Sequence, residues 1–343
     1  MKLRNVIKLG AALTVSALAL TACSSSGAGT NGGNGNSSSS GAIVLTAGHQ
    51  LAAGTPFDEG MNHFAELVAE KTDGRVEVRV HPNAQLGNET EMFQALQSGT
   101  VDVGIFAPGS IAEYFPGITL VSMPFLVEDR DHRDRILDSG VLAPIEESIV
   151  DTTGTEVLTY FGGSQRQMFF TKPATSFDDV QGRLFRVQPS EMLTESYSAM
   201  GLEPTVVAYT ELYNALQQDV VNGAENEAVF IESQRFYEPA PHLLMTNHEV
   251  TFRPLMISSR TWDKLDDELA DLVREAADEA GIFQRDVEGK ADEDTLKRLS
   301  ELDGVTVSTV DTKSWAGEME SIWAKYAAQW GVDDVLQGIK EAR

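Results

Sequence analysis

Residues 162–230 read GGSQRQMFFTKPATSFDDVQGRLFRVQPSEMLTESYSAMGLEPTVVAYTELYNALQQDVVNGAENEAVF. This stretch contains two arginines, Arg166 and Arg186, and each lies beside a strand-like run of apolar residues. A short amphipathic helix then leads into a turn at residues 222–226. Arginine is costly to bury unless it meets an anion, and its planar guanidinium holds a carboxylate through two parallel hydrogen bonds. Two arginines and an amide converging on one cleft would bind a small organic acid; the alternative for each arginine is a solvated face or a surface ion pair.

Several segments around these arginines resemble one known family. They are HPNAQLGNETEMFQALQSGTVDVGI at 81–105, MPFL at 123–126, LFRV at 184–187, EPTVV at 203–207, TELYNALQQDVVNGAEN at 210–226 and HLLMTNHEVTFRPLMIS at 242–258. Together they resemble the solute-binding subunit of tripartite ATP-independent periplasmic (TRAP) transporters. The resemblance extends from Ile43 to the C-terminus.

The resemblance implies an α/β fold with two lobes, like that of periplasmic binding proteins, and a long C-terminal helix that spans both lobes. It also implies an extracytoplasmic receptor that captures a small organic acid and delivers it to a TRAP-type permease driven by an ion gradient. The expected partners are therefore a small carboxylate ligand and the membrane subunits of that permease.

Four site residues follow from the resemblance. Arg186 matches the arginine that binds the ligand carboxylate, and Arg166 matches a second arginine that would add another positive contact. Asn226 matches an asparagine that would orient the acid or its adjacent hydroxyl, and Tyr209 matches an aromatic residue that would lie against the ligand. The turn departs from the family pattern at one position, because Glu227 stands where a proline or glycine is usual.

Composition excludes two classes of partner. The 343 residues include 26 lysines and arginines and 52 acidic residues, which gives a formal net charge of −26. Without a basic stripe the chain is not expected to bind nucleic acid or a broad anionic membrane surface. The length suffices for two lobes with separate cores, and we expect a monomer.

The N-terminus predicts a targeting segment. Lys2, Arg4 and Lys8 precede an apolar run that is too short to span a membrane, and the run ends at Leu-Thr-Ala-Cys23. We expect residues 1–22 to be a lipoprotein signal peptide and Cys23, the only cysteine, to be lipidated; the alternative is an ordinary secretory signal with an incidental cysteine. Residues 23–41 are rich in glycine and serine and predict a flexible tether, so the membrane contact would be the lipid anchor alone.

The remaining chain predicts alternating strands and helices, and hence an open α/β sheet with parallel crossovers. We expect residues 42–124 and part of the C-terminal region to form lobe 1, and residues 125–258 to form lobe 2, with strands crossing between lobes. Residues 259–343 predict a helical region packed on both lobes, where apolar residues from Leu265 to Ala291 recur every three or four positions.

Ligands of open α/β sheets bind beyond the carboxyl ends of the strands. There the first strand ends at His49 and Gln50, Glu89 opens the second helix, and Phe106 ends the third strand. His49, Gln50 and Glu89 suit ligand hydroxyls, and Phe106 would wall the pocket. The alternatives are a loop histidine that satisfies the backbone, an acid at a helix N-terminus, and a core phenylalanine.

No catalytic or metal-binding motif of the usual kind occurs in the sequence, so we expect no enzyme, no cofactor and no metal. The hydroxyl-binding candidates favour a sugar acid, such as a hexuronate, over a dicarboxylate or an aromatic acid. Two alternatives remain open at this point: a sensory receptor of the same fold that signals to a membrane kinase, and a secreted hydrolase.

Overall fold

The computed structural model describes residues 41–343, which form one compact unit. The predicted signal peptide, the lipidation site at Cys23 and nearly all of the predicted tether lie outside the described residues. Among the helices of the described residues, none is both long and apolar enough to cross a membrane.

Strands and helices alternate through most of the described chain. The strands are β1 (Ile43–Gly48), β2 (Val76–His81), β3 (Val103–Ile105), β4 (Thr155–Phe161), β5 (Gln165–Phe170), β6 (Leu184–Val187), β7 (Glu203–Val206), β8 (Gly223–Asn226), β9 (His242–Val250), β10 (Arg253–Ser258) and β11 (Thr306–Thr309). The helices are α1 (Pro56–Lys71), α2 (Glu89–Ser98), α3 (Arg130–Ser139), α4 (Ala143–Thr153), α5 (Glu191–Ala199), α6 (Leu212–Gln217), α7 (Ala228–Ser233), α8 (Ser259–Trp262), α9 (Asp267–Glu301), α10 (Lys313–Trp330) and α11 (Asp333–Glu341).

The strands form two sheets, one at the centre of each lobe. The first sheet has the order β2-β1-β3-β10-β4, and β1 runs parallel to both β2 and β3. The second has the order β11-β9-β5-β8-β6-β7. The parallel crossovers predicted for the first part of the chain are therefore confirmed.

Helix α1 shows how the apolar pattern builds the first lobe. Phe57, Met61, Phe64 and Val68 recur at spacings of four, three and four residues, and all four are fully buried against the first sheet. Pro56 occupies the first helical position, where its missing N–H costs nothing. Burying these four side chains contributes roughly 1.5–3 kcal/mol each, so this helix is anchored by hydrophobic burial.

The chain crosses between the sheets at two adjacent places. Strand β4 leads to β5 through residues 162–164, and β9 leads to β10 through residues 251–252. The N–H of Thr251 donates to the carbonyl of Ser164 at 3.0 Å, so the two crossings lie side by side. Strand β9 therefore ends in the second sheet at Val250, and the chain continues as β10 in the first sheet after a two-residue break, so the chain crosses between the lobes there.

The lobe boundary expected at Pro124 does not coincide with the change of sheet. After residue 124 the chain forms α3 and α4 and then β4, which pairs with β10 in the first sheet. The change to the second sheet comes at residues 162–164, where two consecutive glycines allow close approach of other backbone. A Cβ on Gly163, for example, would lie 2.3 Å from the carbonyl oxygen of Arg285.

The 35-residue helix α9 contacts both lobes. Its first half packs with Phe57 and the first sheet, and Leu299 near its end packs with Phe169 of β5. The predicted apolar stripe matches the buried face only as far as Ala280. Beyond it Phe283 is 37% exposed, which corrects the pattern expected up to Ala291.

Polar side chains replace the apolar stripe because the helix passes the crossing segments there. Gln284 Oε1 accepts from the N–H of Gly162 at 2.7 Å, and Glu288 Oε2 accepts from that of Gly163 at 2.8 Å. One turn further on, Asp292 Oδ1 accepts from the N–H of Ala228 at 3.0 Å. Backbone N–H groups that are buried outside a sheet ladder need such acceptors, and the helix supplies them in a row.

These carboxylates make stability depend on pH. Burial raises the pKa of Glu288 to about 7 and that of Asp292 to about 7, and in each case the nearby charge of Glu227 raises it further. The folded state therefore holds protons that the unfolded state releases above the ordinary glutamate pKa of 4.5. For these groups the free energy of unfolding falls as the pH rises towards 7.

Replacing Glu288 with glutamine is expected to flatten this slope. Glutamine keeps an acceptor for Gly163 but does not titrate, so the variant should gain about 1–3 kcal/mol over the wild type at pH 8 and little at pH 5. Urea denaturation at both pH values measures the difference. Glu301→Gln, at an exposed position of the same helix, is the control, and equal slopes for Glu288→Gln and wild type would contradict the assignment.

Candidate functional site

A cavity of about 250 Å³ lies between the two lobes. Its first-lobe lining comes from the end of β1 and the start of α2, and its second-lobe lining comes from β6 and the segment after β7. The lining residues are Gln50, Asn88, Glu89, Thr90, Glu91, Ser110, Arg186, Pro189, Val206, Val207, Ala208 and Tyr209. The volume suits a small solute, and the carboxyl ends of strands are where open α/β sheets bind ligands.

Arg186 is the buried cation of this cavity. It lies in the short strand β6, is 3% exposed, and its Nε donates to the carbonyl of Val207 at 2.9 Å. Within residues 41–343 no carboxylate lies within 4.0 Å of its guanidinium, and its two terminal nitrogens make no hydrogen bond. Burial lowers the pKa of Arg186. A guanidinium held out of water without a counter-ion is a site for an anion.

Tyr209 and Asn226 lie next to this guanidinium. The Arg186 guanidinium is 5.9 Å from the centre of the Tyr209 ring, within the range of a cation–π interaction. Asn226 Nδ2 donates to the Tyr209 hydroxyl at 3.1 Å, which fixes the ring at the cavity wall. Tyr209 thus lines the cavity directly, and Asn226 lies one hydrogen bond behind it.

Arg166, the second arginine of the sequence, has a different environment. All three of its guanidinium nitrogens donate to β8 and the residue after it: to the carboxylate and carbonyl of Glu225, and to Glu227 Oε2 at 2.6 Å. A third carboxylate, that of Glu249 on β9, lies 4.0 Å from its Nε. Arg166 is not among the residues that line the cavity, so the predicted second contact to a ligand has no support from this geometry.

The pairing of strands creates this ion cluster. Strand β5 carries Arg166 and lies between β8, which carries Glu225, and β9, which carries Glu249. The three glutamates and the arginine are each at most 5% exposed. Burial raises the pKa of Glu249 to about 8. Burial also raises the pKa of Glu225, but Arg166 and His248 together outweigh it and lower that pKa to about 2.

Of the four site residues predicted in the first lobe, two line the cavity and two do not. Gln50 and Glu89 line the cavity. His49 instead binds Asp58 Oδ1 through Nε2 at 3.1 Å, and burial lowers its pKa. Phe106 packs edge-on against Phe93 with ring centres 5.3 Å apart, in the core beneath the sheet edge. Neither His49 nor Phe106 is among the residues that line the cavity.

A sequence profile of the family described as "Bacterial extracellular solute-binding protein, family 7" matches residues 47–329. The chain belongs to this family.

Crystal structures of TRAP periplasmic solute-binding proteins share the fold. The protein from Sulfitobacter sp. NAS-14.1 with bound alpha-D-taluronate is 34% identical, with a TM-score of 0.84 over 87% of this chain and 97% of that one. The Chromohalobacter salexigens protein with bound D-glucuronate is 27% identical, with a TM-score of 0.82 over 87% and 100%. The Sulfurospirillum deleyianum protein with bound succinate is 28% identical, with a TM-score of 0.80 over 88% and 99%. The predicted two-lobed α/β fold and TRAP solute-binding subunit are confirmed.

Arg253, which the sequence analysis does not predict, lies behind the cavity wall and contacts its lining residue Glu89. It is the first residue of β10, directly after the second crossing, and is 5% exposed. One terminal nitrogen lies 3.4 Å from Glu89 Oε1, and the other lies 3.6 Å from Glu227 Oε1. An arginine inside an apolar strand segment, TFRPLMIS, was the available signal.

Glu227, the departure from the family's turn pattern, links these arginines. Its Oε2 accepts from Arg166, and its Oε1 accepts from the Thr251 hydroxyl at 2.9 Å and faces Arg253. A continuous chain of charges therefore runs from Glu89 at the cavity through Arg253 and Glu227 to Arg166.

Larger cavities of about 330 and 460 Å³ lie along α9; the first is also lined by the end of α3, α4 and β4, and the second by α3. Their arginines already have carboxylate partners: Arg274 lies 3.5 Å from Glu156, and Arg130 lies 2.6 Å from Glu293. The volume of a cavity alone therefore does not identify the solute site. The cavity at Arg186 is smaller, but it carries a buried cation without a counter-ion.

Proposed function

We propose that this protein binds a sugar acid in the cavity at Arg186 and delivers it to a TRAP-type permease. The favoured sugar acid is a hexuronate. The observation that carries the proposal is the buried Arg186 guanidinium, whose terminal nitrogens have no partner within residues 41–343. A ligand carboxylate would take both nitrogens in a bidentate pair. The bound hexuronates of two similar proteins, taluronate and glucuronate, support the ligand class.

The other lining residues would bind the rest of the sugar acid. Tyr209, held by Asn226, would lie against the ligand next to its carboxylate. Glu89, Gln50 and Ser110 present carboxylate, amide and hydroxyl groups, which pair with sugar hydroxyls as acceptors or donors. The acid would therefore be held by the second lobe and the hydroxyls by the first.

Such a division of contacts would couple binding to closure of the lobes. A ligand shifts a conformational equilibrium only through differential affinity, and a solute that contacts both lobes has more contacts in the closed form. The two crossings and α9 are the connections about which the lobes would move. The permease would then recognise the closed form.

We also propose a location, an oligomeric state and the absence of catalytic activity for this protein. Family 7 members are extracellular solute-binding proteins, and we propose for this chain a receptor without catalytic activity, anchored through a lipid on Cys23 at the outer face of the membrane. We also propose that it acts as a monomer.

A calorimetric titration with matched solutes tests the ligand class. We expect D-glucuronate or D-galacturonate to bind with a micromolar or lower Kd, and saturating ligand to raise the Tm by mass action. D-Glucuronamide, which lacks the carboxylate charge, should bind at least 100-fold more weakly. Succinate is the comparison ligand, since a similar protein binds it. Tighter binding of succinate than of any hexuronate would overturn the proposal.

A further inference from the structure

Three buried arginines lie at or near the cavity, and only one is free to take a ligand anion. Arg166 and Arg253 each face two or more glutamates within 4.0 Å. Arg186 has no such partner among the described residues. The site therefore offers one guanidinium to an incoming solute. A solute with two carboxylates would pair the first with Arg186 and find no second free guanidinium among the described residues.

Glu89 places a negative charge on the opposite wall. It is the first residue of α2, is 4% exposed, and lines the cavity from the first lobe. Its Oε2 accepts from the N–H of Ala107 at 3.2 Å, and its Oε1 faces Arg253 at 3.4 Å. The helix N-terminus, the N–H donor and the guanidinium all favour negative charge at this position.

Arg253 does not fully neutralise the negative charge of Glu89, because the Arg253 guanidinium is shared with a second carboxylate. Its second terminal nitrogen faces Glu227, which also binds Arg166, and Arg166 in turn binds Glu225. Along this chain three carboxylates, those of Glu89, Glu227 and Glu225, face two guanidinium groups. Glu89 therefore shares its guanidinium partner with Glu227, which leaves net negative charge on the first-lobe wall of the cavity.

We propose, on the basis of the proposed function, that Glu89 restricts the cavity to solutes with a single carboxylate and excludes diacids of the same size. A sugar hydroxyl can donate to Glu89, whereas a second carboxylate has no proton to donate and meets a like charge. Repulsion between like charges is strong where water is excluded, and building it against the wrong ligand is an efficient route to specificity. Glu89 would thus determine which solutes bind, and Arg253 would hold the Glu89 carboxylate in position.

Two ligands that share a carbon skeleton test this role. D-Galacturonate carries one carboxylate, and galactarate carries a carboxylate at each end of the same six-carbon chain. We expect wild-type protein to bind galacturonate at least 100-fold more tightly than galactarate in calorimetric titration. In Glu89→Gln the preference should fall at least tenfold, because the amide no longer repels the second carboxylate.

Two further variants keep the result interpretable. Glu89→Asp retains the charge and is expected to retain most of the preference. Glu147→Gln removes an exposed carboxylate from α4, outside the cavity, and should leave the preference unchanged. A similar change in Glu147→Gln would mean that net charge alone sets the preference, and this would overturn the role of Glu89.

The outcomes separate this inference from the proposed function. If wild-type protein binds neither galacturonate nor another hexuronate, the proposed function fails. If it binds galacturonate and galactarate equally, or if Glu89→Gln binds galacturonate with an unchanged preference, only the role of Glu89 fails. Should Glu89→Gln not fold, loss of the preference in Arg253→Lys, which alters the group holding Glu89, supports the inference, and an unchanged preference contradicts it.

Discussion

Replacing Arg186 with methionine is expected to weaken hexuronate binding by roughly 100- to 1,000-fold without loss of stability. The affinity falls because the variant loses two charge-assisted hydrogen bonds, each worth about 1.5–3 kcal/mol, in a site that excludes water. Stability is preserved because the guanidinium makes one protein hydrogen bond, to Val207, and has no carboxylate partner within residues 41–343. Removing a buried charge of this kind relieves a desolvation penalty, so the Tm without ligand should be unchanged or higher.

Arg186→Lys separates charge from geometry in the same experiment. Lysine keeps a positive charge but offers a single ammonium in place of a planar fork, so we expect affinity between those of the wild type and Arg186→Met. Titration calorimetry gives the affinities and differential scanning calorimetry the stabilities. Hexuronate affinity within tenfold of wild type in Arg186→Met would show that the carboxylate binds elsewhere.

The two arginines of residues 162–230 show how far the sequence leads. Each arginine lies beside an apolar strand, and this local pattern predicts a buried cation. Both Arg166 and Arg186 are buried. What differs is the neighbouring charge. The partners of Arg166 lie 59 and 61 residues away, and only the pairing of β5 with β8 and β9 brings them together. Local sequence cannot distinguish a cation with internal partners from one that awaits a ligand.

Strand ends predict the residues of the cavity with similar, partial success. Open α/β sheets bind ligands at the carboxyl ends of their strands, which predicts Gln50 and Glu89 as site residues, and both line the cavity. The same rule predicts His49 and Phe106, but these have buried protein partners, Asp58 and Phe93. The edge of a sheet predicts which residues are near a site. Alternation along the strand and the packing below it decide which side chains face the ligand.

Helix α9 shows a second limit of pattern reasoning. Its existence and its contact with both lobes follow from the apolar repeat, and the repeat also identifies the buried face up to Ala280. Beyond that point the buried side chains include Gln284 and Glu288, which a hydrophobic pattern assigns to solvent. They are buried because the crossing segment 162–164 presents two backbone N–H groups there, those of Gly162 and Gly163, and these need acceptors only in the folded protein.

Replacing Arg166 with methionine is expected to destabilise the protein by about 3–5 kcal/mol, because the change leaves buried glutamates without their shared counter-charge. Glu225 and Glu227 bind the guanidinium directly, and Glu249 lies 4.0 Å from it. For a chain of this size the Tm should fall by roughly 10 °C. Urea denaturation at pH 7 measures the loss, which should be smaller at pH 5, because Glu225, whose pKa of about 2 depends on the charge of Arg166, can take up a proton there once Arg166 is removed.

A second change distinguishes lost charge balance from lost packing. Adding Glu225→Gln to Arg166→Met removes one of the uncompensated charges, so the double variant should recover part of the lost stability. Hexuronate affinity of the folded fraction should stay within tenfold of wild type, since Arg166 does not line the cavity. If Arg166→Met instead kept the wild-type Tm and lost hexuronate binding, Arg166 would be the second ligand contact that the sequence predicts. The charge chain from Glu89 to Arg166 would then be part of the binding site and not its support.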